Sequence, residues 1–163
     1  MRHTNLLLLL MTIATLSACV KAGKEVAEEL GIVPSSCGTD GARIEAQVDD
    51  ASFCADGQIV ALSDGHTATI TGLGLLGSSL SLELDTLEAG TYPINEARNA
   101  IMYMSLGTPY TSMADQPGTL TISGHDVVGH RLKAHFEATL RNEMSGGTKA
   151  ISGSVDVTYT IGE

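Results

Sequence analysis

From residue 42 onward, apolar and polar residues alternate along the chain with a period of two. The alternation is longest over 131–140 and 151–161, and shorter alternating runs are separated by turn-forming pairs such as Asp64-Gly65. Strict alternation is typical of strands that bury one face, and short strands at regular spacing are typical of antiparallel β proteins. We therefore predict an all-β domain over 42–163, a single antiparallel β-sandwich or up-and-down barrel of about nine strands.

The two long runs also predict which side chains enter the core. Phe136 and Val157 fall on the apolar side of their runs, whereas His135 and Thr158 fall on the polar side. Because successive side chains of a strand point to opposite faces, we expect the first two to be buried and the last two to be exposed. Residues 100–106 are apolar at nearly every position, which predicts a central strand covered on both faces.

The N-terminal segment follows a different pattern. A basic residue precedes an apolar run that is too short to span a bilayer, which needs about 20 residues, and the run ends in Leu16-Ser17-Ala18-Cys19. This ending is a bacterial lipobox, whereas an ordinary secretory cleavage site prefers a small residue where Leu16 stands. The pattern predicts a lipoprotein signal peptide over 1–18, cleavage before Cys19 and a lipid on the Cys19 thiol.

The predicted lipid anchor sets the compartment. Residues 19–41 would comprise the lipidated Cys19 and a tether, and membrane lipid would be the first partner of the domain over 42–163. The residue after the Cys is Val20 and not Asp. In enteric bacteria the absence of Asp at that position directs a lipoprotein to the outer membrane, so by analogy we expect a cell-envelope, outer-membrane location.

Charge and cysteine content narrow the remaining partners. The chain has a formal charge of −10, and loss of Arg2 with the signal peptide makes it −11. Because an acidic chain repels phosphates, nucleic acid is excluded as a partner. Lipidation would use one of the three cysteines, and the remaining two, Cys37 and Cys54, predict one disulfide, as is usual in exported domains.

Four short motifs follow one another along the domain: Ala46-Gln47-Val48-Asp49-Asp50, Gly90-Thr91-Tyr92-Pro93-Ile94, Gly118-Thr119-Leu120-Thr121-Ile122 and Ile151-Ser152-Gly153-Ser154-Val155. In this order they resemble a family of uncharacterised bacterial lipoproteins that have a lipobox and one small β domain. The resemblance covers 42–161. It implies a β domain at the envelope, and it brings no catalytic residues to this chain.

Four polar residues near the last hairpin are candidates for a metal site: His125, Asp126, His130 and His135. Imidazole and carboxylate groups are good zinc ligands. However, His130 and His135 have opposite parity and His125 falls in a Gly-flanked turn, so the pattern favours surface histidines. The sequence also contains no Gly-x-Ser-x-Gly elbow and no EF-hand loop, and we predict neither a catalytic set nor a cofactor.

One stretch concentrates aromatic and thioether side chains. Tyr103, Tyr110 and Met113 lie within or shortly after the apolar run, and Tyr110 follows Pro109 in a predicted Gly-Thr-Pro turn. Tyr and Met side chains are adaptable contacts at binding surfaces. We interpret these three residues as a candidate binding surface, and the alternative is that they pack in the core.

These observations favour a lipid-anchored, non-enzymatic binding module of the cell envelope, with an envelope protein, a glycan or a small ligand as its partner. A small envelope hydrolase or metal-dependent enzyme is the second interpretation, and a purely structural envelope protein is the third. An apolar cavity with a few polar groups would favour the first interpretation. Two histidines and a carboxylate within coordination distance would favour the second.

Overall fold

The computed structural model of the chain describes residue 37 and residues 41–74 and 77–162. The predicted signal peptide, the predicted lipidation site at Cys19 and most of the predicted tether lie outside the described residues. The described residues form twelve strands, and they contain no helix long and apolar enough to cross a membrane. The strands are β1 (Arg43–Val48), β2 (Ala51–Ala55), β3 (Ile59–Ser63), β4 (Ala68–Leu73), β5 (Ser79–Leu84), β6 (Gly90–Ile94), β7 (Ile101–Ser105), β8 (Thr108–Ser112), β9 (Gly118–Asp126), β10 (Arg131–Arg141), β11 (Thr148–Thr158) and β12 (Thr160–Ile161).

All twelve strands belong to one sheet, which curls into a half-barrel. The strand order is β12-β3-β4-β5-β7-β8-β10-β11-β1-β2, and β6 joins the sheet through β9, which pairs with β10. Neighbouring strands are antiparallel except for β12, which lies parallel to β3. The prediction of an all-β domain is confirmed, but the sheet is mixed and has twelve strands where the alternation predicted about nine.

The extra strands arise where the sequence pattern is weak. Residues 108–112, which the sequence placed in a turn, form β8 because the chain already reverses at Leu106-Gly107. Both turn residues have positive φ, 49° and 80°, as a two-residue type I′ hairpin requires. At the other end of the domain, the last predicted strand is divided at Tyr159 into β11 and the short β12.

The inner face of the half-barrel forms the core. Phe136 is 3% exposed and Val157 is fully buried, whereas His135 and Thr158 are exposed, so the predicted division between inward and outward positions is confirmed. The prediction that residues 100–106 form a strand covered on both faces is wrong. Met102 is 39% exposed, so β7 buries only its inner face.

The predicted disulfide between Cys37 and Cys54 is present, with the two Cα atoms 5.5 Å apart. Cys54 lies in β2 at the end of the sheet, so the bond ties this edge strand to the chain that precedes β1. Cys37–Glu163 form one compact unit that contains the whole sheet, its core and the disulfide. A unit with its own core folds without the segment that precedes it.

Candidate functional site

A cavity of about 330 Å³ opens on the outer face of the half-barrel, over β5, β7 and β8. Four adjacent strands each contribute one outward residue to a row across this face, because each residue is the register partner of the next: Ser81, Met102, Thr111 and Arg141. Glu83 and Ala100 lie side by side next to this row, because the Glu83 amide donates a hydrogen bond to the Ala100 carbonyl at 2.9 Å. The shape of this outer-face cavity is therefore fixed by strand pairing.

The lining of the outer-face cavity combines polar and apolar surface, and its apolar part forms the floor. Ala100, Ile101, Met102 and Met113 line it, and the thioether side chains can adapt to the shape of a ligand. Ser112 also lines the cavity and is 4% exposed. Its hydroxyl accepts a hydrogen bond from the Ile101 amide at 3.1 Å, and no residue in the described part of the chain accepts the hydroxyl hydrogen. The floor thus combines apolar surface with one available hydrogen-bond donor.

A buried asparagine holds the loop between β6 and β7 against the sheet. Asn99 is 3% exposed, and its side chain accepts a hydrogen bond from the Asp85 amide at 3.0 Å and donates one to the Pro93 carbonyl at 3.1 Å. Its φ of 48° is left-handed, a conformation that Asn adopts more readily than most residues. These contacts fix the loop that carries Glu96 to the edge of the cavity.

A second buried asparagine holds the loop that follows β10. Asn142 is 2% exposed and donates a hydrogen bond to the Pro109 carbonyl at 2.7 Å. Its side-chain oxygen accepts a hydrogen bond from the Ser145 amide at 2.8 Å, which closes the turn into β11. The residue after Asn142 is Glu143, which lines the cavity from this side.

The lining of the outer-face cavity carries an excess of negative charge. Glu83, Glu96 and Glu143 are all exposed, and none of their carboxylates has an ion pair or hydrogen bond to another described residue. Arg141 is the cation of the lining, and its Nη1 already lies 3.7 Å from an Asp115 carboxylate oxygen. Three carboxylates therefore surround an apolar floor without a neutralising partner in the described part of the molecule.

The opposite half of the outer face, over β10, β11 and β1, contains a cluster of paired charges. Arg131 donates from Nε and Nη2 to the two carboxylate oxygens of Asp156, at 2.7 and 3.0 Å. Lys133 Nζ lies 3.4 Å from the same carboxylate. The hydrogen bonds from Arg131, partly opposed by burial, lower the pKa of Asp156 below its ordinary value. These charges are satisfied within the fold.

A second cavity, of about 380 Å³, opens over this half, and its lining is mostly polar, with side chains such as Gln47, Glu137 and Ser152. Asp49, at its edge, accepts hydrogen bonds from Lys149 Nζ at 3.0 Å and from the Ala150 amide at 2.9 Å. These two bonds, the Lys149 bond first, lower the pKa of Asp49. Because Asp49 is already paired and the lining is mostly polar, this cavity is the weaker candidate for a ligand site.

The structure separates the three residues of the predicted binding surface. Tyr103 is 8% exposed on the inner face, where it meets Phe53 edge to face with ring centres 6.1 Å apart. Tyr110 lies in β8 and not in the predicted turn, half-buried opposite Tyr103, with Lys149 Nζ 5.3 Å from its ring centre. Of the three, Met113 lines the outer-face cavity, and the two tyrosines do not.

Two of the candidate histidines meet at Tyr159. His125 Nε2 lies 2.7 Å from the Tyr159 hydroxyl, and the His130 ring stacks on Tyr159 with ring centres 5.3 Å apart. Burial, and then the charge of Asp126, raise the pKa of Tyr159. His135 is exposed on the outward side of β10. Within the described ranges, no three His, Cys, Asp or Glu side chains are placed to hold a metal ion.

His125 was predicted in a Gly-flanked turn, but it lies in β9, just after a β-bulge. β9 has one more residue than β10 between Ile122 and Gly124, so the inward and outward positions shift by one. His125 is consequently the register partner of the inward Leu132 and lies within β9.

No protein-family model, curated protein or solved structure matches the chain. The site is therefore defined by its own geometry. Sequence reasoning missed Glu83, Glu96, Arg141 and Glu143, because an isolated charged residue on a polar strand face has no motif. The one signal that pointed to this region was the concentration of Met residues between Met102 and Met113.

Proposed function

We propose that this chain is a lipid-anchored, non-enzymatic binding module of the bacterial cell envelope, which takes a small ligand with an apolar part into the outer-face cavity. Its membrane relation follows from the lipobox, which predicts acylation of Cys19 and location in the outer membrane. The observation that carries the binding role is an apolar floor with a few convergent polar groups, in a volume at the lower end of the range for ligand pockets.

The anchor is tested in cells with the full-length chain. Cys19→Ser should abolish labelling by a radioactive fatty acid and release the protein from the membrane fraction, because no thiol remains to be acylated. Cys37→Ser serves as the control for loss of a cysteine and should retain both the label and the membrane association. Labelling or membrane association that persists in Cys19→Ser would contradict the anchor.

The binding role is tested with a neutral apolar fluorophore, N-pentyl dansylamide, and the fragment from Cys37 to Glu163. We expect its fluorescence to rise on binding and Ala100→Phe, which fills the cavity, to weaken binding by about tenfold or more. Ala150→Phe, on an exposed alanine of the second cavity, is the matched control and should bind like the parent protein. Equal binding by both variants would show that the probe does not use the outer-face cavity.

A further inference from the structure

We propose that the ligand of the outer-face cavity is a small cationic amphiphile, a molecule that joins a protonated amine to an apolar body. This inference rests on the proposed function, since it names the ligand class of the same cavity. It follows from two features that lie together: an apolar floor formed by Ala100, Met102 and Met113, and three carboxylates around that floor.

The carboxylates come from three separate segments of the chain. Glu83 lies in β5, Glu96 in the loop fixed by Asn99, and Glu143 in the loop fixed by Asn142. On the other half of the outer face, Asp156 pairs with Arg131 and Asp49 pairs with Lys149. Three carboxylates without such neighbours favour the approach of a cation, and the low-dielectric floor beside them strengthens that attraction.

The cation of the lining offsets only part of this charge. Arg141 is one cation beside three carboxylates, and its Nη1 also lies 3.7 Å from a carboxylate oxygen of Asp115. An anionic ligand would meet the uncompensated charges of Glu83, Glu96 and Glu143. A neutral apolar ligand would gain binding free energy from contact with the floor alone, whereas a cationic amphiphile would gain it from both the floor and the carboxylates.

The spacing of the carboxylates favours an organic cation over a metal ion. No three acidic, His or Cys side chains of the described ranges are close enough together to share one metal ion. An ammonium group has three donors and needs one or two carboxylates, and the body of the ligand would cover the rest of the floor. Ser112, with a second lone pair and its hydrogen available, can bond to a polar atom of that body.

A matched series of three dansyl probes tests the charge preference with the fragment from Cys37 to Glu163. Dansylcadaverine carries a primary ammonium, N-pentyl dansylamide is its neutral counterpart, and dansyl-6-aminohexanoate carries a carboxylate. At low ionic strength we expect the cation to bind about tenfold more tightly than the neutral probe, and the anion to bind most weakly. At about 1 M salt, where charges are screened beyond about 3 Å, the three affinities should converge.

Two variants assign the preference to named residues. The triple variant Glu83→Gln, Glu96→Gln and Glu143→Gln should bind dansylcadaverine and N-pentyl dansylamide equally well, since the substitutions keep shape and remove charge. The control triple variant Glu45→Gln, Glu88→Gln and Glu137→Gln makes the same change in net charge away from the cavity, and it should keep most of the preference. Arg141→Gln should act in the opposite direction and tighten binding of dansylcadaverine by about threefold.

The outcomes separate this inference from the proposed function. If no probe binds, or if binding ignores Ala100→Phe, the cavity is not a ligand site and both proposals fail. If N-pentyl dansylamide binds in the cavity but dansylcadaverine binds no more tightly, or if the two triple variants behave alike, only the cationic ligand class is overturned. The inference is supported if the protein prefers dansylcadaverine over N-pentyl dansylamide, if the cavity triple variant removes this preference, and if Arg141→Gln increases it.

Discussion

The two halves of the outer face of this sheet differ in how many of their carboxylates are paired with a cation. Over β10, β11 and β1, Asp156 is 8% exposed and is bonded to Arg131 and Lys133. Over β5, β7 and β8, Glu83 and its neighbours stand beside an apolar floor with no partner among the described residues. Charged side chains that pair with one another are explained by the stability that the pairs give to the fold. Unpaired carboxylates around apolar surface are better explained by a ligand.

The largest effect on stability should come from the disulfide at the edge of the paired half. The Cys37–Cys54 bond links two residues that are 17 positions apart. In the chain-entropy model, its loss should reduce the free energy of unfolding by about 3 kcal/mol. We expect urea unfolding of the double variant Cys37→Ser and Cys54→Ser to show this loss. The parent protein unfolded under reducing conditions should match the variant, and a loss below about 1 kcal/mol would contradict the model.

The second effect tests how closely the strands of the paired half approach one another. A Cβ on Gly153 would lie 2.7 Å from Phe136 Cζ and would also meet the backbone of β1. We expect Gly153→Ala to lower the free energy of unfolding by about 2 kcal/mol, because the neighbours have no space to shift. Gly124→Ala, in the same sheet but with nothing within 4 Å of the added Cβ, is the control and should unfold like the parent protein.

The third effect concerns the Asp156 ion pair. A carboxylate whose pKa is lowered by folding stabilises the fold at pH values above its unfolded pKa of about 3.9, and this contribution is lost as the pH falls through the lower folded pKa. Asp156→Asn should therefore lower stability by about 1 kcal/mol at pH 7 and flatten the loss of stability below about pH 4. Asp115→Asn, which removes an exposed pair with Arg141, is the control. Equal effects of the two variants would show that the two halves of the outer face do not differ.

The smallest effect is expected at the cavity itself. Neutralising Glu83, Glu96 and Glu143 together as Gln should leave the free energy of unfolding unchanged or raise it by about 0.3 kcal/mol at low salt, since like charges no longer repel. Thermal unfolding at low and high salt measures this. A clear loss of stability would mean that these carboxylates support the fold, and the contrast between the two halves would then disappear.

Local features of the sequence were enough to identify the class of structure. The alternation of side chains is a property of each single strand. The inward positions of Phe136 and Val157 and the outward positions of His135 and Thr158 could therefore be assigned without knowing which strands are neighbours. The disulfide between Cys37 and Cys54 followed from the cysteine count, given the prediction that the chain is exported. These inferences use only neighbouring residues or composition, and the structure agrees with them.

Features that depend on which strands become neighbours could not be read from the chain. Tyr110 was placed in a turn because Gly107 and Pro109 are turn residues, but the hairpin closes at Leu106-Gly107 and pairing with β7 carries Tyr110 inward. His125 was predicted in a turn because glycines flank it, but pairing with β10 beyond a bulge extends β9 through it. A single change of register reverses every later side chain, and register is set by the whole core.

The sequence alone thus determined the β character of the domain, its inward and outward positions and its single disulfide, since each depends on a local period or a count. Only the tertiary structure brought Ser81, Met102, Thr111 and Arg141 into one row, because these residues are up to 60 positions apart and meet through the pairing of four strands. The same pairing, with the loops fixed by Asn99 and Asn142, gathers the carboxylates around the apolar floor. Side chains distant in sequence become neighbours only when the burial of the whole inner face selects one strand order.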